Sequence, residues 1–325
     1  MRQKPARHVN SRPVFAIFRW WVLGGIMLVG IGLWQLYQTS VFFRSPWRTN
    51  LVLNTNPIVV VSLPKAVEDQ ILIITLPENA FTDVPFGYGA YKLSSVWRLG
   101  EIEKNPELFV TTIEDMLGVR IDGWLAKTEV GNLTQTDNLR QKLDQFLASP
   151  LKPANFKSNI NHLDWAWIYF KLRFSRPDKF KLLLSETYPS LYADAILPDG
   201  TQIQKVNHES LLRFLEQKFE DIDVRRDGLS VVIQNHTDIP NVGQKFARFV
   251  TNFGGKVITI GNGIDRMANC RLEVKPELTQ KKLVQYLMRA FKCELVATAE
   301  NSGVDMTVKL GDTFGQRWRV SVLAN

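Results

Sequence analysis

The hydrophobic pattern of the chain begins with an apolar run of 18 residues, Trp20–Tyr37, that contains no charged side chain. As an α-helix, this run would span about 27 Å, close to the thickness of the hydrocarbon core of a bilayer. More basic residues precede the run than follow it closely, which favours a cytoplasmic amino terminus. The preceding residues are Arg2, Lys4, Arg7, Arg12 and Arg19, and the following ones are Arg44 and Arg48. We therefore expect a basic cytoplasmic tail at residues 1–13 and a single transmembrane helix at residues 14–37.

A cleaved signal peptide is the alternative interpretation of this run. The run is longer than the apolar core of most signal peptides, and no small-x-small cleavage site follows it. Trp20, Trp21, Trp34 and Tyr37 lie where aromatic side chains meet the two membrane interfaces. A buried helix of a soluble protein would normally keep a polar face, and this run has none. The pattern favours a single-pass plasma membrane protein whose bulk is extracytoplasmic.

The pattern after the anchor predicts a layered α/β domain at residues 57–220. Residues 38–56 are polar and interrupted by proline, so we expect a linker with a short strand at 51–53. The unbroken apolar runs at 58–61 and 71–74 are typical of central strands that are covered on both faces. Turn formers at residues 77–92 predict a surface loop. Further patterns predict helices at 106–117, 139–147, 163–174 and 209–219, and a strand at 119–126.

The carboxy-terminal pattern alternates short strands with two amphipathic helices. The first helix carries the apolar stripe Val242–Phe253, and the second carries Leu283–Phe291. The predicted strands are 229–233, 256–260, 270–274, 293–297 and 305–310. This order indicates a small α/β sandwich at residues 228–316, with the helices on one face of a sheet. Residues 220–228 are the expected boundary, and residues 317–325 form a tail.

The charge of the chain bears on its partners. The formal net charge is +8 with a pI of about 9.4. An extracytoplasmic location argues against nucleic acid, so anionic envelope polymers, lipid phosphates or the membrane surface fit better. Lysines and arginines scattered over solvated faces are the plain alternative.

The two cysteines, Cys270 and Cys293, lie 23 residues apart. The four histidines are dispersed, so we expect no structural zinc site. Outside the cytoplasm the two thiols are compatible with a disulfide, and two small buried apolar side chains are the alternative. If the strands beginning at these cysteines are adjacent and parallel, the Cα atoms fall within disulfide reach.

The carboxy-terminal segment resembles the C-terminal domain attached to LytR-CpsA-Psr envelope proteins. Residues 231–243 (VVIQNHTDIPNVG) are similar to a V-V-N-G-T-x-x-P-G motif, and residues 256–262 (KVITIGN) follow at the expected distance. Residues 305–312 (DMTVKLGD) are similar to a D-V-x-V-x-L-G-x-D motif. Residues 57–220 resemble a diverged main domain of the same family, since residues 90–96 (AYKLSSV) are similar to its K-I-N-A-A-Y element.

The resemblance implies a transfer reaction and a set of residues for it. Family members move a glycopolymer from a polyprenyl pyrophosphate onto peptidoglycan, with arginines on the pyrophosphate and aspartates on Mg²⁺. Asn56 stands here where the family has an aspartate. Glu78 and Asn79 stand where the family has arginine and aspartate, and Lys92 alone matches. The late arginine-rich motif has only the loose candidates Lys171, Arg173, Arg176 and Asp178.

Three hypotheses follow. The first is a catalytically lapsed envelope protein, without a cofactor, that binds or scaffolds in the assembly of cell wall or glycopolymer. The second is an active phosphotransferase in which substitute residues do the work. Its pyrophosphate ligands would be Lys92, Arg98 and Arg120, and Asp83 or Asp122 would hold Mg²⁺; the plain alternative for all five is a solvated charge. The third is a component of cell division or secretion with envelope proteins as partners.

Two further features of the sequence are candidate binding surfaces. The aromatic residues Trp124, Trp165, Trp167 and Phe170 are expected to line a groove for a polyprenyl lipid, or to be core. The loop Asn235–Gly243 opens a helix whose amides could accept an anion, or it is a simple strand-to-helix turn.

Overall fold

The computed structural model describes residues 12–45, 47–65, 70–77, 79–127, 156–197, 199–298 and 303–318. It begins with a long helix, α1 (Arg12–Thr39), which contains the apolar stretch Trp21–Thr39. This stretch is long and apolar enough to cross a bilayer, and none of it is buried against the rest of the protein. The single apolar helix predicted from the sequence is therefore present, and it extends two residues further at each end.

The remaining helices are α2 (Val41–Arg44), α3 (Leu93–Ile102), α4 (Glu107–Leu117), α5 (His162–Phe174), α6 (His208–Leu215), α7 (Ile222–Asp227), α8 (Val242–Phe253), α9 (Lys282–Phe291) and α10 (Asp312–Gly315). The strands are β1 (Arg48–Asn54), β2 (Ile58–Pro64), β3 (Ile71–Leu76), β4 (Phe81–Val84), β5 (Gly89–Lys92), β6 (Gly123–Lys127), β7 (Phe156–Ser158), β8 (Phe180–Leu184), β9 (Tyr192–Ile196), β10 (Gln202–Val206), β11 (Ser230–Asn235), β12 (Lys256–Asn262), β13 (Arg271–Val274), β14 (Glu294–Ala297) and β15 (Met306–Leu310). The helix predicted at residues 139–147 lies outside the described residues. The mixed α/β class predicted from the sequence is confirmed.

The first sheet has six strands in the order β7-β6-β1-β2-β3-β8. Its strands β2 and β3 are an antiparallel pair and are buried along their whole length, as their unbroken apolar sequence predicts. Alternate residues face two separate apolar clusters. Val52 and Val60 face α3 and α4, whereas Leu51 and Val61 face α5. The sheet is therefore the central layer of the domain.

The predicted linker at residues 38–56 is wrong in its second half. β1 lies inside the six-stranded sheet, between β2 and β6, and six of its seven residues are buried. The polar side chains of its first three residues give this strand the sequence pattern of a linker. Arg48 is buried because its guanidinium donates to Ser62 Oγ at 2.7 Å and to the Gln70 carbonyl at 2.6 Å.

A second sheet, in the order β5-β4-β10-β9, replaces the predicted surface loop at residues 77–92. β4 and β5 form a hairpin, and Pro85–Tyr88 provide its turn. Phe86, Gly87 and Gly89 adopt positive φ angles in this hairpin. The strands have four residues each, so the turn formers dominate the sequence pattern of the segment.

The carboxy-terminal sheet has five strands in the order β12-β11-β15-β13-β14. Buried and partly exposed residues alternate along β11 and β15, and helices α8 and α9 cover the buried face. The strands that follow Cys270 and Cys293 are adjacent and parallel, and the two cysteines form a disulfide with a Cα–Cα distance of 4.5 Å. The observed bounds of all five strands lie within two residues of the predicted ones.

The two units share one continuous apolar cluster. Asp115 on α4 forms ion pairs with Lys245 and Arg248 on α8, at 2.5 and 2.7 Å. The Asn252 amide donates to the carbonyls of Leu117 and Gly118 at 2.9 and 3.0 Å. Helix α4 therefore joins the amino-terminal sheet to the carboxy-terminal unit.

Candidate functional site

The end of α4 places a buried carboxylate between two arginines. Glu114 is 1% exposed in its side chain, and its two oxygens pair with Arg120 at 2.6 Å and Arg317 at 2.9 Å. One of these oxygens also accepts the Ile121 N–H at 2.9 Å. The negative charge of Glu114 raises the pKa of the Arg120 guanidinium, which stabilises its charged form. Arg120, a pyrophosphate ligand in the transferase hypothesis, is thus engaged by an acidic partner within the fold.

Asp122, the metal candidate, lies two residues further along the chain. Its carboxylate accepts the Asn50 N–H at 2.9 Å. Burial raises the pKa of the Asp122 carboxyl to about 7, and the nearby Glu114 charge adds to the rise. The Asn50 N–H and Arg120 act in the opposite direction. Asp122 therefore sits in a place that disfavours an uncompensated negative charge.

The other charged candidates occupy different places. Lys92 is the last residue of β5 and directly precedes α3, and its side chain is exposed. Arg98 is exposed on the outer side of α3. Asp83 on β4 pairs with Lys205 on β10 at 2.7 Å. Asp83 belongs to the second sheet, whereas Asp122 directly precedes β6 of the first sheet. The structure thus distributes the five predicted ligands over two sheets and one exposed helix face.

Two of the three positions that differ from the family motifs are described, and both lie in turns. Asn56 precedes Pro57 in the turn between β1 and β2, with a cis peptide bond between them. Asn79 is exposed in the turn between β3 and β4. Glu78 lies outside the described residues.

The four aromatic residues, expected to line a lipid groove or to be core, lie on different surfaces, which rules out one groove for all four and places Trp165 in the core. Trp124 packs against Trp97 on the α3 side of the first sheet, with ring centroids 5.0 Å apart. Trp165 is fully buried on the opposite side, against Phe156. Trp167 and Phe170 lie on the outer surface of α5 and are exposed. The first sheet separates the first two residues, so no single groove contains all four.

Two small voids lie among the described residues of the interior, and none of these four aromatic residues lines either of them. Two voids, one beneath Arg120 and Tyr286 and one beneath Leu93 and Met116, have cavity volumes of about 10 Å³ each. Such a volume is close to the space of one water molecule. Neither void has room for a prenyl chain.

A larger cavity opens between the two units, with a volume of about 750 Å³. We call it the interdomain cleft. One wall is the end of the first sheet at which strands β1, β3 and β8 begin. The other wall is the segment Gln217–Arg226 together with Lys282. Its charged lining consists of the cations Arg48, Lys65, Lys181, Lys218, Arg225, Arg226 and Lys282 and the carboxylates Glu220, Asp221 and Asp223. Among the described lining residues, seven cations against three carboxylates leave a formal excess of four positive charges.

Part of this charge is used within the fold. Arg225 pairs with Glu220 at 3.0 Å, and Lys282 pairs with Asp221 and, at 3.3 Å, with Asp223. Lys181 on β8 and Lys218 in the turn after α6 line the opposite walls. Burial lowers the pKa of Lys65, and the positive charge of Arg289 lowers it further. The cleft therefore presents a positive potential to an anion that enters it.

Sequence reasoning missed this cleft. The residues Glu220–Gly228 mark the expected domain boundary, so their charges read as those of a solvated connector. Lys181 lies in a strand that the pattern did not predict. The available signal was the run of acidic and basic residues at 219–227 (FEDIDVRRD). It places arginines close to Asp221, the buried residue that caps the beginning of helix α7.

Comparison with known proteins gives matches among solved structures alone. No protein-family model and no curated protein matches the chain. The chain is similar to a structure described as TagT bound to LI-WTA, with 13% identity over 51% of this chain and 87% of that one, at a TM-score of 0.36. It is also similar to B. subtilis TagV, with 11% identity over 52% and 93% and a TM-score of 0.35, and to B. subtilis TagU, with 9% identity over 50% and 92% and a TM-score of 0.34. These three are LytR-CpsA-Psr family structures.

Proposed function

We propose that the protein is a membrane-anchored extracytoplasmic envelope protein that binds a phosphate-bearing anionic glycopolymer in the interdomain cleft without transferring it. In this proposal it is a pseudoenzyme with a binding or scaffolding role in cell wall assembly. The observation that carries the proposal is the cleft of about 750 Å³ with its surplus of cations. Binding at this cleft requires no cofactor.

The anchor in this proposal is α1. Its stretch Trp21–Thr39 is apolar and unburied, as a helix surrounded by lipid requires. Basic residues are concentrated before it, which orients the folded units to the outer side.

The cleft suits an extended anion. Its cations come from several elements of both units, so successive phosphates could contact different walls. A polymer with one charge per repeat gains from each contact, although each exposed ion pair contributes only about 0.2–1 kcal/mol. Salt weakens such contacts, because the Debye length is about 10 Å at 0.1 M ionic strength.

The distribution of the predicted transferase residues supports binding over transfer. Transfer needs cations and a metal-holding carboxylate around one pyrophosphate. Arg120 pairs with Glu114, and Asp83 pairs with Lys205. Lys92 and Arg98 are exposed at a different helix.

The experiment measures binding of a poly(glycerol phosphate) oligomer to the full chain in detergent micelles, by fluorescence anisotropy at two salt concentrations. The test variant is Lys181→Gln with Lys218→Gln, on the two walls of the cleft. The matched control is Lys92→Gln with Arg98→Gln, which removes the same charge at the positions of the transferase hypothesis.

We expect the cleft variant to bind about 3- to 10-fold more weakly, which corresponds to two lost exposed ion contacts, and the control to bind like the unchanged chain. Equal affinity in the cleft variant, or a loss confined to the control, would overturn the proposal. Mg²⁺-dependent cleavage of a polyprenyl pyrophosphate-linked glycan by the full chain would restore the transferase hypothesis.

A further inference from the structure

We infer that helix α5 is a second membrane contact, which lies on the outer leaflet with its aromatic residues among the lipids and its arginines at anionic phosphate headgroups. This inference rests on the proposed anchoring by α1. The aromatic face consists of Trp167, Phe170 and Phe174, at positions i, i+3 and i+7 of the helix.

The aromatic face is unusually open to solvent for its size. Trp167, Phe170 and Phe174 are 41%, 47% and 74% exposed, and the rings of Phe170 and Phe174 stack with centroids 5.8 Å apart. The opposite face of α5 is buried against the first sheet through Trp165 and Ile168. A helix with apolar residues on both faces needs a second apolar neighbour besides its sheet.

The end of α1 is fastened to the beginning of α5. The Asn161 amide, which caps α5, donates to the Leu36 carbonyl at 2.8 Å. The Asp164 carboxylate accepts from Ser40 Oγ at 2.5 Å and from the Val41 N–H at 2.9 Å. Because Asp164 is buried, these bonds hold α5 at the point where α1 ends.

A row of aromatic rings continues from α1 to the exposed face of α5. The ring of Trp34 lies 6.2 Å from that of Tyr37, and Tyr37 lies 5.6 Å from Phe43. Phe43 lies 5.8 Å from Trp167. Tryptophan and tyrosine at the end of a membrane-spanning helix mark the level of the headgroups. Contact through Phe43 therefore brings Trp167 close to that level.

The direction of α5 follows from the chain connection. The helix joins β7 at one edge of the first sheet to β8 at the other edge. Its 13 residues span about 20 Å, and six strands span about 24 Å, so α5 crosses the sheet rather than following a strand. Both ends of α5 lie near the end of the sheet at which β1 begins, because β8 starts beside Ile71 and Asn161 contacts Leu36.

The charges at the end of α5 suit an anionic surface. Arg173 is exposed in the last turn of α5, and Arg176 is exposed two residues after the helix, where it pairs with Asp178 at 3.3 Å. Lys171 and Lys179 flank these two arginines. Aromatic residues beside basic ones on one helix are typical of interfacial membrane helices. Each cation close to an anionic leaflet contributes about 1 kcal/mol. We therefore assign lipid, and not a second protein, to this face.

The test uses the full chain in bilayers of phosphatidylethanolamine and phosphatidylglycerol, with a nitroxide label at one introduced cysteine. Both native cysteines are bonded to each other, so the label reacts with the introduced thiol. The test position is Phe170→Cys. Ile264→Cys, fully exposed in the carboxy-terminal unit, is the aqueous control, and Ile26→Cys within α1 reports the anchor. Electron paramagnetic resonance compares access of oxygen, which partitions into lipid, with access of a water-soluble nickel complex.

We expect the label at position 170 to favour oxygen over nickel several-fold more than the label at position 264, and more strongly when phosphatidylglycerol is present. An aqueous label at position 170 with a lipid-exposed label at position 26 overturns this inference and leaves the anchor intact. An aqueous label at position 26 overturns the anchor itself. Dipolar broadening between labels at position 170 would show a second copy on this face, and it also overturns the inference.

Discussion

The buried carboxylate of Glu114 allows a sharp test of how the two units are joined. The substitution Glu114→Gln keeps the shape of the side chain and removes its charge. Arg120 and Arg317 would then face each other across a neutral amide, at side-chain exposures of 29% and 25%. Removal of one partner of a fully buried pair costs about 3–5 kcal/mol. Both arginines reach water in part, so we expect a loss of about 2–3 kcal/mol in the free energy of unfolding.

The assay is thermal unfolding of the full chain in detergent, followed by near-UV circular dichroism. A loss of this size corresponds to a decrease of about 5–10 °C in the unfolding midpoint. Glu209→Gln is the matched control, because Glu209 is 82% exposed and pairs with Arg213 at 3.8 Å on a helix surface. The control should shift the midpoint by about 1 °C or less.

Equal midpoints for Glu114→Gln and Glu209→Gln would refute the reasoning, because they would show that the Glu114 pairs contribute no more than a surface pair. The same variant also bears on the transferase hypothesis. If Arg120 served a pyrophosphate, its release from Glu114 would strengthen pyrophosphate binding by the full chain.

Three further predictions concern single features of the fold. Replacement of Cys270 and Cys293 by alanine opens a link between residues 23 apart and should cost about 2–4 kcal/mol, measured as a lower midpoint that reducing agent does not lower further. The raised pKa of Asp122, about 7 in the folded state against 3.8 as its ordinary value, means that its contribution to stability is full below about pH 4 and is lost as the pH rises through 7. Asp122→Asn should therefore flatten the decline in midpoint over this range, and an unchanged slope would contradict the assignment. Gly118→Ala should destabilise more than Gly200→Ala, since both glycines have positive φ but an added Cβ meets the carboxy-terminal unit at 2.8 Å only at Gly118; equal losses in urea unfolding would exclude this steric cost.

The sequence predicted best those elements whose local pattern agrees with their final surroundings. Helix α8 has an apolar stripe that faces a single sheet, and it ends at Gly254, a glycine in the left-handed conformation. The sequence therefore predicted both the buried face of this helix and the residue at which it ends. Helix α4 ends in the same way at Gly118. Strands β2 and β3 are buried on both sides, which their unbroken apolar runs indicate.

Elements that are stabilised by residues distant in the sequence could not be predicted from their local pattern. β1 buries Arg48 and Asn50, whose partners Ser62, Gln70 and Arg120 come from later in the chain. Without those partners, the segment has the pattern of a polar linker. The hairpin of β4 and β5 is short, and its turn residues outweigh its strands in the pattern.

The candidate site shows the same limit more strongly. The pattern predicts Arg120 as an available cation, because nothing local shows that Glu114, six residues earlier, is buried and pairs with Arg120. The second partner of Glu114 is Arg317, almost two hundred residues later. The interdomain cleft draws its charge from five separate segments, so no local motif describes it. The sequence pattern predicted the two strands that follow the cysteines, but their adjacency, and with it the choice between a disulfide and two buried thiols, came from the structure.

The strand order of the carboxy-terminal sheet has a consequence for biosynthesis. β15 is the last of the described strands to be synthesised, yet it lies in the middle of the sheet, between β11 and β13. Until Met306–Leu310 has been translated, β11 with β12 and β13 with β14 are two ribbons, and no strand pairing between the described strands joins them. The nascent carboxy-terminal unit therefore stays open until β15 has been made. A ribosome that stops before codon 306 releases a chain in which the inner edges of β11 and β13 are exposed in addition to the outer edges of β12 and β14.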